Sequence, residues 1–264
     1  MSIFFRASLS PAVERSILIV VLSALALLCW IVLWKGGDFA HVTHSINLSH
    51  HGHHTVNSSN FMAIFIAGWS VMTVAMMLPT TIPIIAFFHK FTERRADRVL
   101  LLSLVVIGYI GTWIVFGVVI YFGILLIKMA LTSFSVLAAY TWAGPPLILI
   151  FAGLFQFTEF KYKCLDKCRS PLSFIMEHWQ DKKEKWNAFM LGVDHGIFCI
   201  GCCWALMLLM FAVGFGSLLW MLVLALVMGI EKNVSWGRKI GKPVGFVLVL
   251  SGLSMLIYSY SKIY

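Results

Sequence analysis

Charge is scarce in this sequence. Of 264 residues only 12% are Asp, Glu, Lys or Arg and 60% are hydrophobic, against a soluble-domain norm of roughly 25% and 45–50%. That balance excludes an ordinary water-soluble domain and leaves lipid as the solvent. No nucleotide-binding motif is present, which argues against ATP-driven pumping by this chain alone. No internal repeat is visible, so the inverted-repeat design of many secondary transporters gets no support. Cysteine is also sparse. Six in a chain of this length do not make a disulfide scaffold, yet five of them fall in two tight groups, a pattern of metal or redox chemistry.

What is abundant is unbroken apolar sequence, with a mean hydropathy of +0.91. The runs pass through both parities for about twice the ten residues of a barrel strand, which excludes alternating transmembrane strands. The expectation is an all-α, polytopic transmembrane helix bundle of about seven spans, near 16–34, 61–88, 99–127, 134–158, 188–213, 216–230 and 243–260. The fifth and sixth come from one apolar stretch, divided at Gly214-Phe215-Gly216; left undivided, the count is six. The sixth segment is short enough to be tilted, shallow or re-entrant. Pro79 and Pro83 are expected to kink or end the second span.

Lys and Arg outnumber Asp and Glu by 20 to 11. Nucleic acid is not the reason, because the basic residues sit in short loops between apolar runs. With seven spans, 17 of the 20 fall in alternate loops that share one side. Cytoplasmic loops carry that excess, so the N-terminus is placed in the cytoplasm and the C-terminus outside. A six-span arrangement would put Lys232, Arg238, Lys239 and Lys242 outside, against the charge rule. The first apolar segment loosely imitates a cleavable signal at Ala24-Leu25-Ala26 but continues to Trp34, so it is read as retained. One integral membrane domain then covers residues 1–264, with an external loop at 35–60.

Asp194-His195-Gly196-Ile197-Phe198-Cys199-Ile200-Gly201-Cys202-Cys203-Trp204 carries the strongest chemical signal. On a helix, His195 and Cys199 are four apart, and Cys202 and Cys203 follow three and four later, so one stripe holds an imidazole and up to three thiols. Soft sulfur and imidazole donors suit copper, with zinc as the second choice. Cys164 and Cys168 have i, i+4 spacing just after the fourth span, among Lys161, Lys163, Lys167 and Arg169, and Pro171 is expected to stop their helix. The external loop holds His41, His44, His50, His51, His53 and His54, a compositional metal-binding signal without fixed geometry. Met72, Met76 and Met207 add weaker thioether candidates beside Met77 and Met210. The bland alternatives are small buried cysteines, a palmitoylated juxtamembrane pair, a solvated polar loop and core methionines.

Three blocks resemble a bacterial family of predicted metal-binding integral membrane proteins, some of whose members are described as copper chaperones. They are Trp69 to Pro79, Gln156 to Pro171, and His195 through Gly201-Cys202-Cys203-Trp204 to Met207, closed by Glu231-Lys232. The resemblance covers 61–232 as a family-like core, and Gly-Cys-Cys-Trp is its most specific element. Asp194 departs from the basic residue usual at that point, and the histidine-rich loop lies outside the shared core. The resemblance implies metal binding in a bacterial inner membrane. The leading expectation is membrane-embedded handling of copper or zinc by Cys199, Cys202, Cys203, His195, Cys164, Cys168 and Asp194. Its partners would be the lipid bilayer, the metal ion and a metalloenzyme or soluble metal carrier. Two alternatives stand beside it: a transmembrane thiol–disulfide oxidoreductase, and a structural subunit of a larger membrane complex.

Overall fold

Long apolar runs can satisfy their backbone polar groups in lipid by forming helices, whose hydrogen bonds stay within the segment. A computed structural model describes residues 11–35, 58–93, 95, 97–133, 141–170, 175–176, 183–213 and 217–263. They form α1 (Pro11–Lys35), α2 (Ser58–Phe91), α3 (Arg98–Ser133), α4 (Gly144–Phe155), α5 (Glu159–Arg169), α6 (Glu184–Val213), α7 (Leu218–Asn233) and α8 (Gly241–Ile263). No strand occurs among the described residues.

Five of these helices, α1, α2, α3, α6 and α8, are long and apolar enough to cross a membrane. The pair α4 and α5 makes a sixth if its 64° bend belongs to one span. α7 has 16 residues, fewer than the about 20 a hydrocarbon core asks for. Large apolar side chains face outward, among them Val20 at 64%, Val247 at 65% and Ile257 at 69% exposure. An exterior of that kind fits lipid rather than water.

The breaks follow local chemistry. Prolines at 145 and 146 open α4, a position where their missing N–H is harmless. Thr158 caps α5, its side chain accepting from the Lys161 N–H. α6 ends at Val213 and α7 begins at Leu218 behind a Ser217 cap. The forty-residue apolar stretch is therefore two helices, although Gly214-Phe215-Gly216 itself lies outside the described residues. The expected histidine-rich loop and Pro171 also lie outside them.

α2 does not end at either of its prolines and runs on to Phe91. Pro79 has no N–H to offer the carbonyl of Ala75, four residues earlier. The Trp30 indole N–H of α1 takes that place, donating to Ala75 O at 3.1 Å. The helix thus continues through Pro79, and the freed carbonyl becomes the dock for α1.

α6 is the hub, packing against α3, α4, α5 and α7, most extensively against α3. Helices in lipid gain no hydrophobic drive from pairing, so close backbone approach through small residues must supply the attraction. Gly192 and Gly196 on α6 face Gly108 and Thr112 on α3. A Cβ on Gly192 would lie 2.1 Å from Val105 O, and one on Gly108 would lie 2.4 Å from Phe189 O. At one end, Arg98 bonds Glu14, Arg95 bonds Glu184, and His89 lies 3.8 Å from Glu14. The starts of α1, α3 and α6 and the end of α2 therefore share that end.

Gly192→Ala forces the α3 and α6 backbones apart. The expected loss is about 1–3 kcal/mol, read as a lower unfolding midpoint in detergent. Gly123→Ala, where the added methyl meets open space, is expected to be neutral or stabilising. Equal midpoints for the two variants would refute the close crossing.

Candidate metal centre

The helical spacing on α6 brings Cys199, Cys202 and Cys203 into the core, each no more than 2% exposed. The Cys202 and Cys203 thiols both donate to the Cys199 carbonyl, at 3.1 and 2.9 Å. Cys203 is also in side-chain contact with Cys199 and Cys202. Its sulfur lies 3.9 Å from Met77 Sδ on α2. Cys199 Sγ faces the Tyr109 hydroxyl of α3 at 3.1 Å. The His195 ring lies one turn earlier, buried against Tyr109 with ring centroids 5.6 Å apart.

The second cysteine group joins the first. α5 packs on α6, and Gly201 makes the approach possible, since a Cβ there would stand 2.7 Å from Cys164 Sγ. Cys168, half-buried, has its thiol beside that of Cys202. The thiols therefore make a chain from Cys168 through Cys202 to Cys203 and Cys199, with Cys164 packed beside it. All six cysteines are unbridged. The contacts are pairwise. Among the described residues no group of three or more His, Cys, Asp or Glu side chains is set to hold one metal ion.

Lysine closes the cluster from the other side. Lys232, at the end of α7 and 8% exposed, donates its ammonium to Cys199 Sγ at 2.9 Å, Thr80 Oγ1 at 3.4 Å and Met77 Sδ at 3.6 Å. The preceding residue faces elsewhere: Glu231 pairs with the fully buried Lys161 at 2.6 Å, and Lys161 also bonds Gln156. Arg169, at the end of α5, donates to the backbone carbonyls of Glu231, Val234 and Ser235 at 2.7 to 2.9 Å. These bonds clamp the end of α7 against α5 and hold Lys232 in place.

The other candidates are placed less centrally. Asp194 is half-buried and lies about 140° around α6 from Cys199. Met72, Met76 and Met207 are buried in the same apolar core as the cysteines, but Met77 is the methionine that brings its thioether to a thiol. His50, His51, His53 and His54 lie outside the described residues. Tyr109, Thr80 and Lys232 were not legible as site residues. Only Lys232 carried a signal, a Glu-Lys pair closing an apolar helix.

A family model described as PpoB2, copper chaperone, matches residues 66–255. No curated protein and no solved structure matches the chain.

The thiol chain has a direct check in a variant that keeps only Cys168 and Cys202. A short bifunctional thiol reagent is expected to join them in isolated membranes, and the product detected by mass spectrometry. A variant keeping Cys29 and Cys202 serves as control. Equal yields from the two would refute the α5–α6 contact.

Proposed function

The chain belongs to the PpoB2 copper-chaperone family, and we propose that it binds Cu(I) on the α5–α6 thiols and passes it to a protein partner. The observation that carries this reading is the meeting of Cys168 with Cys202, beside Cys164, in a chain that continues to Cys203 and Cys199. Soft thiolate and thioether donors select Cu(I). Structural zinc sites ask for four ligands in a tetrahedron, whereas Cu(I) is satisfied by a pair of soft ligands, which is what pairwise thiols offer.

In this reading Cys168 and Cys202 are the entry or exit pair, because Cys168 is the half-buried thiol. Cys203, Cys199 and Met77 form the inner end, and exchange from one sulfur to the next spares the ion from standing bare in hydrocarbon. His195, one turn from Cys199, is a further ligand for the inner end; Asp194 and the buried Met72, Met76 and Met207 are secondary candidates. α7 crosses as the sixth of seven spans within a single membrane domain, with 61–232 as its metal-binding core. The N-terminus and α5 are then on the cytoplasmic side of a bacterial inner membrane, and the histidines of 35–60 on the other side, fit to collect metal. The recipient is a metalloenzyme or a soluble carrier. Transport is the wider form of the same proposal.

The Cys168–Cys202 contact also supports a second reading, a thiol–disulfide oxidoreductase. Thiol trapping separates the two, since a redox enzyme cycles this pair while a copper site keeps it reduced and shielded by the ion.

The test loads the full chain in lipid nanodiscs with Cu(I) under reducing, anaerobic conditions, desalts it and measures copper by elemental analysis. The expected result is retained copper in the wild type and loss of most of it in Cys168→Ser/Cys202→Ser, with the unfolding midpoint confirming that the variant is folded. A wild type without copper, or a folded double variant that retains it all, would overturn the proposal.

A further inference from the structure

Lys232 places a positive charge in the core of a site proposed for a cation. In the apolar interior an ammonium needs a counter-charge or a full set of acceptors. Its neighbouring carboxylate, Glu231, is held by Lys161 at 2.6 Å. The contacts of the Lys232 ammonium among the described residues are a thiol, a thioether and a hydroxyl: Cys199 Sγ, Met77 Sδ and Thr80 Oγ1. It is thus a tethered monovalent cation seated on two of the sulfur donors.

The balance of charge decides what such a cation favours. Two thiolates around a monovalent ion leave one negative charge, which the ammonium cancels. Two thiolates around a divalent ion leave none, and the ammonium then stands uncompensated beside a like-charged centre. At the separations present here, a unit charge in a protein interior alters binding by more than an order of magnitude.

We propose that Lys232 is a specificity-determining residue that biases the buried thiols toward monovalent soft cations, Cu(I) and Ag(I), and against divalent ions such as Zn(II). This inference rests on the copper-binding reading above and adds to it the reason for selectivity. Arg169, by fixing the end of α7 through three backbone carbonyls, keeps the ammonium at the sulfurs. Replacement of Lys232 by an uncharged side chain of similar length removes the bias while leaving every sulfur in place.

The experiment titrates the full chain in nanodiscs with Cu(I) and with Zn(II), each against a chromophoric competitor, for wild type, Lys232→Gln and Lys232→Arg. Thermal unfolding is followed in parallel, and Lys232→Leu is read in the same way if Lys232→Gln does not fold. The expected result is a Cu(I)-over-Zn(II) preference that falls about tenfold or more in the uncharged variant and is kept in Lys232→Arg. An unchanged preference in a folded, copper-binding uncharged variant would overturn this inference alone. A loss in Lys232→Arg as large as in Lys232→Gln would also overturn it, because shape rather than charge would then be at work. A wild type that binds neither ion overturns the copper reading and this inference together.

Discussion

Lys232 and Cys199 meet at 2.9 Å in a core almost without access to water. A buried ammonium has to be answered by protein groups, and here the groups that answer it come from α2 and α6. The contact therefore does more than join two side chains. It fixes the end of α7 against two longer helices, while Glu231 and Lys161 fix it against α5. A helix of 16 residues, too short to rely on lipid-facing surface, is positioned by ionic and hydrogen-bonded contacts at one end. The same contacts gather sulfur from α2, α5 and α6 around one place.

Everything at that place depends on close backbone approach. The α3–α6 crossing closes over Gly108 and Gly192, which lets Tyr109 reach Cys199. The α5–α6 crossing closes over Gly201, which lets Cys164 lie against the helix and Cys168 reach Cys202. Small residues thus serve two ends, helix association and delivery of donor atoms to one another. Pro79 contributes in a third way: the Ala75 carbonyl that it frees accepts the Trp30 indole and anchors α1.

Much of the fold was legible because apolar run length reports helices directly. Each expected segment from 16–34 to 243–260 has a helix within it, and α7 starts at Leu218, just past the two glycines that were expected to divide the stretch. The turn that follows the fourth segment was not legible. The bend there depends on capping at Thr158 and on Lys161 turning inward to bond Gln156 and Glu231, and hydropathy does not sense such contacts. Of the site, the α6 cysteine stripe was legible from local spacing. The convergence of Cys164 and Cys168 on it was not, since tertiary contact leaves no trace in spacing. Lys232 was counted as a loop charge because its position fits the charge rule equally well. Met77 stood in the same row as Met72 and Met76, and only the rotation of α2 about its axis singles it out.

The central claim is that the thiols of α5 and α6 form one sulfur site for a monovalent ion. X-ray absorption at the copper edge of the Cu(I)-loaded full chain tests it most directly. The account predicts a reduced copper with a low-coordinate shell dominated by sulfur, altered by loss of Cys202. A shell dominated by nitrogen or oxygen, or a spectrum indifferent to Cys202, would contradict it.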